Sequence, residues 1–224
     1  MATQALYLPT GNTLDLHPLP EKRRVVFVVS GSGSLQAEPI PAQPFADLAL
    51  LILPVVLPTR LRADTAVTLL EIAYEQSPAE LIEAAKAGDA PQVVHYADCP
   101  TYREAIKSPQ TKNRTLVAPG RIPRFAMGSV ETAGPDAVAP HAHPMLEQLF
   151  FGLPPNDCTV TADGFAVPFG APILLYIPRG STHGAQVAAG RRLHYLWLDF
   201  FPTAADMQWI KDQHIDDPPS RPSR

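Results

Sequence analysis

The sequence predicts an all-β protein of two barrels, joined by a short helical connector and followed by a C-terminal helix. Three observations predict it. Short β-branched and aromatic runs alternate with proline and glycine, a single strong helix signal stands near the middle of the chain, and the pattern of the first half returns in the second. The 224 residues are 46% hydrophobic and 18% charged, enough apolar material for one large core or two small ones. The 26 prolines lie mostly between the apolar runs, which suits short strands joined by many turns.

From the N-terminus, residues 23–29 are rich in valine and stop at Ser30-Gly31-Ser32-Gly33, a strand entering a turn. Residues 48–53 and 66–74 are further apolar runs, with Pro54, Pro58 and Asp64 marking the breaks. At Ser77-Pro78-Ala79-Glu80 the pattern changes: a serine cap, a proline in the first turn and a glutamate three residues past the cap predict a helix. Leu81, Ile82 and Ala85 form its expected apolar stripe and Gly88 its end. A second short helix is expected after Asp98, over residues 102–107. Strand signals resume at Thr115 and cover 124–131, 147–153, 158–161, 173–177 and 193–201. Asp163-Gly164 marks a two-residue hairpin, since both positions must tolerate positive φ. Residues 203–213 predict a terminal helix with Met207, Trp209 and Ile210 available to pack, and 216–224 a frayed tail. The expected division is therefore 1–76, a degenerate barrel; 77–112, the connector; 113–203, the second barrel; and 204–224, helix and tail.

A formal net charge of −4 without a Lys/Arg stripe leaves nucleic-acid binding with no electrostatic source. Cys99 and Cys158 are far apart and lack CxxC spacing, which argues against a disulfide framework or thiolate zinc and for buried reduced thiols. No apolar run reaches the length of a membrane span, and the first residues lack the pattern of a secretory signal. These features predict a soluble cytoplasmic protein with no membrane partner.

The halves can be laid on each other. Pro54 matches Pro178 and residues 69–74 match 193–198 without a gap, while 24–29 match 147–152 at an offset that differs by one. The duplication is chemically lopsided. Arg24 then stands where Glu147 stands and Thr59 where His183 stands, and His17 is the sole histidine before His95. Only the second half carries a possible ligand set.

His141-Ala142-His143 precedes an apolar strand, and its period of two puts both imidazoles on one face. Glu147 follows after three residues, and His183 arrives from beyond the Asp163-Gly164 hairpin within Pro178-Arg179-Gly180-Ser181-Thr182-His183. Together they make a plausible four-ligand cage. Gln148 is the rival for the carboxylate position. Glu147 is preferred because its charge offsets that of the ion and its distance from Phe150 fits the strand.

Residues 141–147, His-Ala-His-Pro-Met-Leu-Glu, resemble the first cupin motif, HxHxxxE, and Gly170 followed by Pro178-Arg179-Gly180-Ser181-Thr182-His183 resembles the second. The likeness is strong over about residues 113–203; the first half is similar to a cupin only in strand layout. The loops depart from the pattern at Pro154-Pro155 and at Ala171, neither of them a ligand position. The resemblance implies a bicupin of two double-stranded β-helix (jelly-roll) barrels, the first degenerate. It also implies one divalent metal ion on His141, His143, Glu147 and His183, and a homodimer.

A mixed nitrogen and oxygen ligand set suits Fe(II), Mn(II), Ni(II), Co(II) or Zn(II) without selecting among them. An octahedral ion on four protein ligands keeps two positions open for a substrate or O2. The expected function is a metalloenzyme acting on a small organic substrate, a dioxygenase before an isomerase or lyase, with a non-catalytic binding or sensing protein as the other class. The candidate catalytic residues are His194, as acid, base or hydrogen-bond donor, and Tyr176. Arg124, as a carboxylate clamp, and Phe125, Phe150 and Trp197 are candidates for substrate contact. About half of these strand residues should face inward by alternation. Ligation needs neutral imidazoles, so metal affinity should fall below about pH 6.

Overall fold

A computed structural model describes residues 1–104 and 106–213, with side chains through Gln208. The chain divides into two compact units, Met1–Cys99 and Pro100–Arg224.

In the first unit the strands are β1 (Ala2–Leu8), β2 (Thr13–Leu16), β3 (Lys22–Ser30), β4 (Gly33–Ala37), β5 (Ile40–Phe45), β6 (Ala49–Ile52), β7 (Thr59–Ala63) and β8 (Val67–Glu75). Helix α1 (Pro78–Lys86) and strand β9 (Gln92–His95) complete it. One sheet has the order β1-β8-β3-β6-β9 and the other β2-β7-β4-β5. Val26, Val28, Leu35, Leu51, Leu61 and Leu69 are among the fully buried side chains of its core. Strand β5 carries Pro41 and Pro44 and lies at a sheet edge, where a residue without an N–H breaks no ladder.

The second unit contains β10 (Thr101–Tyr102), β11 (Lys112–Ile122), β12 (Phe125–Ala133), β13 (Asp136–His141), β14 (Glu147–Gly152), β15 (Asp157–Ala162), β16 (Phe165–Gly170), β17 (Leu174–Ile177), β18 (His183–Val187) and β19 (Arg192–Phe200). They form one sheet in the order β10-β11-β12-β19-β14-β17 and another in the order β13-β18-β15-β16. All pairings are antiparallel. The strand order of the first unit is repeated: β8-β3-β6 corresponds to β19-β14-β17, and β2-β7-β4-β5 to β13-β18-β15-β16. The fold is two cupin-type barrels. The second core includes Val130, Phe150, Val160, Phe169, Leu193 and Tyr195.

Helix α1 begins as its sequence dictates. Ser77 Oγ accepts from Glu80 N and the Glu80 carboxylate accepts from Ser77 N at 2.7 Å, and Gly88 follows the helix at φ 72°. Its stripe is not buried, however, for Ile82 is 53% exposed. The segment expected to be a connector is shared out: β9 returns to pair with β6, and β10 pairs with β11. That pairing also overturns the second helix. Thr101 and Tyr102 are extended against Arg114 and Asn113, and a 3-10 turn at Tyr96–Asp98 is the helical element there.

Helix α2 (Ala204–Gln213) starts at Thr203, whose Oγ1 accepts from Asp206 N. Met207 is buried beside Leu146 and Phe201. The side chains of Trp209 and Ile210, and the expected tail at 216–224, lie outside the described residues. Among the described helices none is long and apolar enough to cross a membrane.

Candidate metal centre

His141 ends β13 and His183 opens β18, and the two are cross-strand partners after an irregularity in the pairing beyond Val138. His143 stands two residues further on, in the loop before β14. The ring centroids of His141 lie 5.0 Å from those of His143 and 4.4 Å from those of His183, and His143 and His183 are 5.7 Å apart. One nitrogen from each ring falls within 4.8 Å of the other two.

The backbone sets the tautomers. His141 Nδ1 is 2.9 Å from Ala139 O, and His183 Nδ1 is 3.0 Å from Ser181 O. A carbonyl only accepts, so each Nδ1 carries the proton and each Nε2 keeps a lone pair. Burial pulls the His183 pKa down to about 4, the Ser181 bond partly opposing it and His141 adding to it, so the ring is neutral at pH 7.

Two further contacts join the histidine loops: Gly180 N donates to His143 O at 3.1 Å and Arg179 Nε to Pro144 O at 2.6 Å. The Asp163-Gly164 turn has the expected left-handed pair, φ 49° and 85°. Its carboxylate accepts from Ser181 Oγ and Thr182 N at 2.7 and 2.9 Å, which fixes the segment entering His183 and holds the Asp163 pKa below its usual value.

Strand β14 separates the expected residues by face. Phe150 is buried with its ring 5.5 Å from His183 and 4.7 Å from Tyr195, so it faces the barrel interior. Alternation puts Gln148 on that inward face and Glu147 on the other. Gln148 is 5% exposed, and its Nε2 donates to Asp199 Oδ1 at 2.8 Å. Glu147 instead bonds Tyr176, which is 52% exposed and has its phenol pKa raised by burial and by that carboxylate. Glu147 is therefore not brought to the histidines: among the described residues the cluster of possible His, Cys, Asp and Glu ligands is His141, His143 and His183.

The remaining candidates sort in the same way. Trp197 is the cross-strand partner of Phe150 and packs on the inner core. His194 lies between inward Leu193 and Tyr195 on β19 and turns away, bonding the Pro154 carbonyl; burial lowers its pKa. Phe125 packs on Phe200 at 5.3 Å, on the face opposite Asp199. Arg124 occupies the turn between β11 and β12 at φ 54°, where its carbonyl accepts from Phe201 N. His194, Tyr176, Phe125 and Arg124 are thus not gathered at the three histidines. The sequence reading missed a polar group within the second unit. Burial pushes the Asp199 carboxyl up to about 7, with Gln148 lowering it, Glu104 raising it and Lys107 lowering it. Lys107 is 2.6 Å from Glu104 and donates to Asn113 Oδ1 at 2.9 Å. No sequence motif marks this group; its members converge only through the strand order.

The register corrects the internal repeat as well. One common offset carries Pro54 onto Pro178, Thr59 onto His183 and the pair Val25–Ile52 onto Leu149–Tyr176. Arg24 then falls at the place of Gln148, not Glu147.

No protein-family model matches the sequence, and neither does any curated protein. Solved structures do. A cupin 2 conserved barrel domain protein from Leptotrichia buccalis superposes with a TM-score of 0.60 at 14% identity, over 89% of this chain and 82% of that one. Oxalate decarboxylase from Lactobacillus farciminis, in its formate complex, gives 0.69 at 14% identity, over 96% and 83%. The chain has the cupin fold. AerE from Microcystis aeruginosa is similar to this chain at a TM-score of 0.67 and 9% identity, over 89% and 87%.

The residues at the three-histidine cluster fit a divalent ion. His183 Nε2 and Gln148 Oε1 are buried acceptors without a hydrogen-bond partner, an expensive state for a polar atom unless another group fills the gap. A metal ion is such a group, and neutral imidazoles are its usual nitrogen ligands.

Proposed function

We propose that the second barrel of this cupin binds one divalent metal ion on His141, His143 and His183 and acts there on a small organic molecule, with an oxygenase-type reaction. The observation that carries the reading is the His183 ring, fixed through Nδ1 and left with a buried, unpartnered Nε2 beside two more imidazoles. Bound there, Fe(II), Mn(II), Ni(II), Co(II) or Zn(II) supplies Lewis acidity and open positions for substrate or O2.

The chain's own part is to shape and dry the site. Phe150 and Trp197 give the substrate an apolar wall beside His183, and Ser181, Asp163 and Ala139 hold the imidazoles in place. The proposal includes a bicupin in which the first barrel is structural, since Thr59 stands there at the place of His183 and Arg24 at the place of Gln148, and a cytoplasmic homodimer as its form.

Metal-dependent isomerisation or elimination is the second reading. Asp199 favours it, because a buried carboxyl with a pKa of about 7 exchanges protons readily near neutral pH. The test is elemental analysis of protein purified without added metal, then O2 uptake and product analysis for each reconstituted form with carbonyl, phenolic and sugar substrates. O2 consumed with product supports the first reading, and product without O2 the second. Ligand-induced thermal stabilisation without product assigns a binding role, and a wild-type chain that takes up no metal overturns the proposal.

A further inference from the structure

The position four residues after His143 is Glu147 and the next is Gln148, and the structure treats them as opposites. Glu147 opens β14 on the outward face, paired across the sheet with Phe200 and bonded to the exposed Tyr176. Gln148 is buried on the face that carries Phe150 against His183. Its amide is also oriented. Asp199 Oδ1 accepts from Nε2, so the oxygen is the free end, and Oε1 has no partner within the barrel. His183 Nε2 on β18 and Gln148 Oε1 on β14 thus both lack partners, on the two sheets that Phe150 brings together at the His183 ring. An amide oxygen is a competent ligand for divalent ions, and a buried acceptor left unpaired is costly to the fold.

Resting on the metal reading above, we infer that Gln148 Oε1 is the fourth protein ligand atom and that, with four uncharged ligands, the centre takes a substrate bearing a carboxylate. Three neutral imidazoles and an amide bring no negative charge to a dication. Asp199 is bonded to the other end of the amide, and Lys107 and Glu104 pair with each other. A buried charge needs a counter-charge, and the open positions are where a substrate carboxylate supplies it. The first barrel supplies a comparison. At the place of Gln148 it has Arg24, 3.1 Å from Glu71, a fixed cation already neutralised within the chain.

The experiment uses Mn(II) as probe on the full chain, with Kd from calorimetry and the Mn(II) resonance signal, and circular dichroism and melting to verify folding. Gln148→Leu is expected to weaken Mn(II) binding about tenfold or more, Glu147→Gln to leave it within about twofold, and Gln148→Glu to tighten it about tenfold. Acetate is expected to perturb the Mn(II) signal of the wild type, acetamide not, and Gln148→Glu to weaken acetate binding about tenfold, since it supplies the charge itself. If Gln148→Leu fails to fold, the Gln148→Glu and Glu147→Gln pair still decides. Loss of Mn(II) in Glu147→Gln, or no tightening in Gln148→Glu, overturns the ligand assignment. Equal responses to acetate and acetamide overturn the carboxylate preference. A wild-type chain that binds no Mn(II), Fe(II), Ni(II), Co(II) or Zn(II) overturns the metal reading itself, an outcome distinct from these.

Discussion

The side-chain amide of Gln148 donates to Asp199 across the β14–β19 pair at 2.8 Å, so a residue on the inward face of β14 is held by a buried carboxyl. Burial raises that carboxyl from its ordinary value near 3.8 to about 7 in the fold. A carboxyl with a raised folded pKa contributes stability that is complete below about pH 4 and is lost as pH rises through about 7, up to about 4 kcal/mol by linkage. Asp199→Asn keeps an oxygen for the Gln148 amide and removes the ionisation. The variant should therefore gain on the wild type between about pH 4.5 and pH 7.5 by a few kcal/mol. Urea unfolding of the metal-free proteins at the two values measures it, and a constant difference contradicts it.

His183 tilts the other way. Its pKa is depressed from 6.5 to about 4, burial being the largest cause. The neutral ring therefore contributes stability that is complete above about pH 6.5 and is lost as pH falls through about 4. Metal-free His183→Asn is expected to lack this part of the acid sensitivity, seen as a flatter melting temperature over that interval. Proton competition for the metal at His183 is expected only as pH approaches about 4, since the folded ring is neutral above that value and a protonated imidazole cannot ligate.

The three histidines were legible because two lie at a strand's period and the third follows a turn whose residues, Asp163 and Gly164, announce themselves. The phase of β14 was not. Gln148, Leu149, Phe150 and Phe151 are all buried, so no polar and apolar alternation shows which face looks inward, and a slip of one residue exchanges Glu147 for Gln148. The common offset that joins Pro54 to Pro178 was the available signal. His194 was misplaced for the same reason, since β19 is buried almost throughout. Tyr102 read as helical because its partner Asn113 is a long-range contact that local propensity does not contain.

Asp163 links the hairpin turn to the metal centre. Its carboxylate takes both Ser181 Oγ and Thr182 N, and Ser181 O fixes His183 Nδ1. Asp163→Ala removes both acceptors and leaves the entry to β18 free to shift. Metal Kd should rise roughly tenfold or more, as for other groups that orient a ligating histidine. Asp163→Asn tolerates the left-handed turn and keeps one acceptor oxygen, so a smaller effect is expected. Equal metal affinity in wild type and Asp163→Ala would show that the loop is held without this residue.

Phe150 ties the core of the second barrel to the same centre. Its ring is 4% exposed, 5.5 Å from the His183 ring and 4.7 Å from that of Tyr195. Phe150→Ala opens a cavity between two packed rings and should cost about 3–5 kcal/mol, because the surrounding strands relax only in part. Phe150→Leu keeps most of the volume and should cost much less. The two variants also separate packing from ligand placement. If the ring restrains His183, Phe150→Ala weakens metal binding while Phe150→Leu, which still fills the space, retains most of it. Denaturant titration of the metal-free forms and metal calorimetry on the same preparations give both quantities. A large loss of stability with unchanged metal affinity would confine Phe150 to the core and leave the Asp163, Ser181 and Ala139 contacts to position the imidazoles.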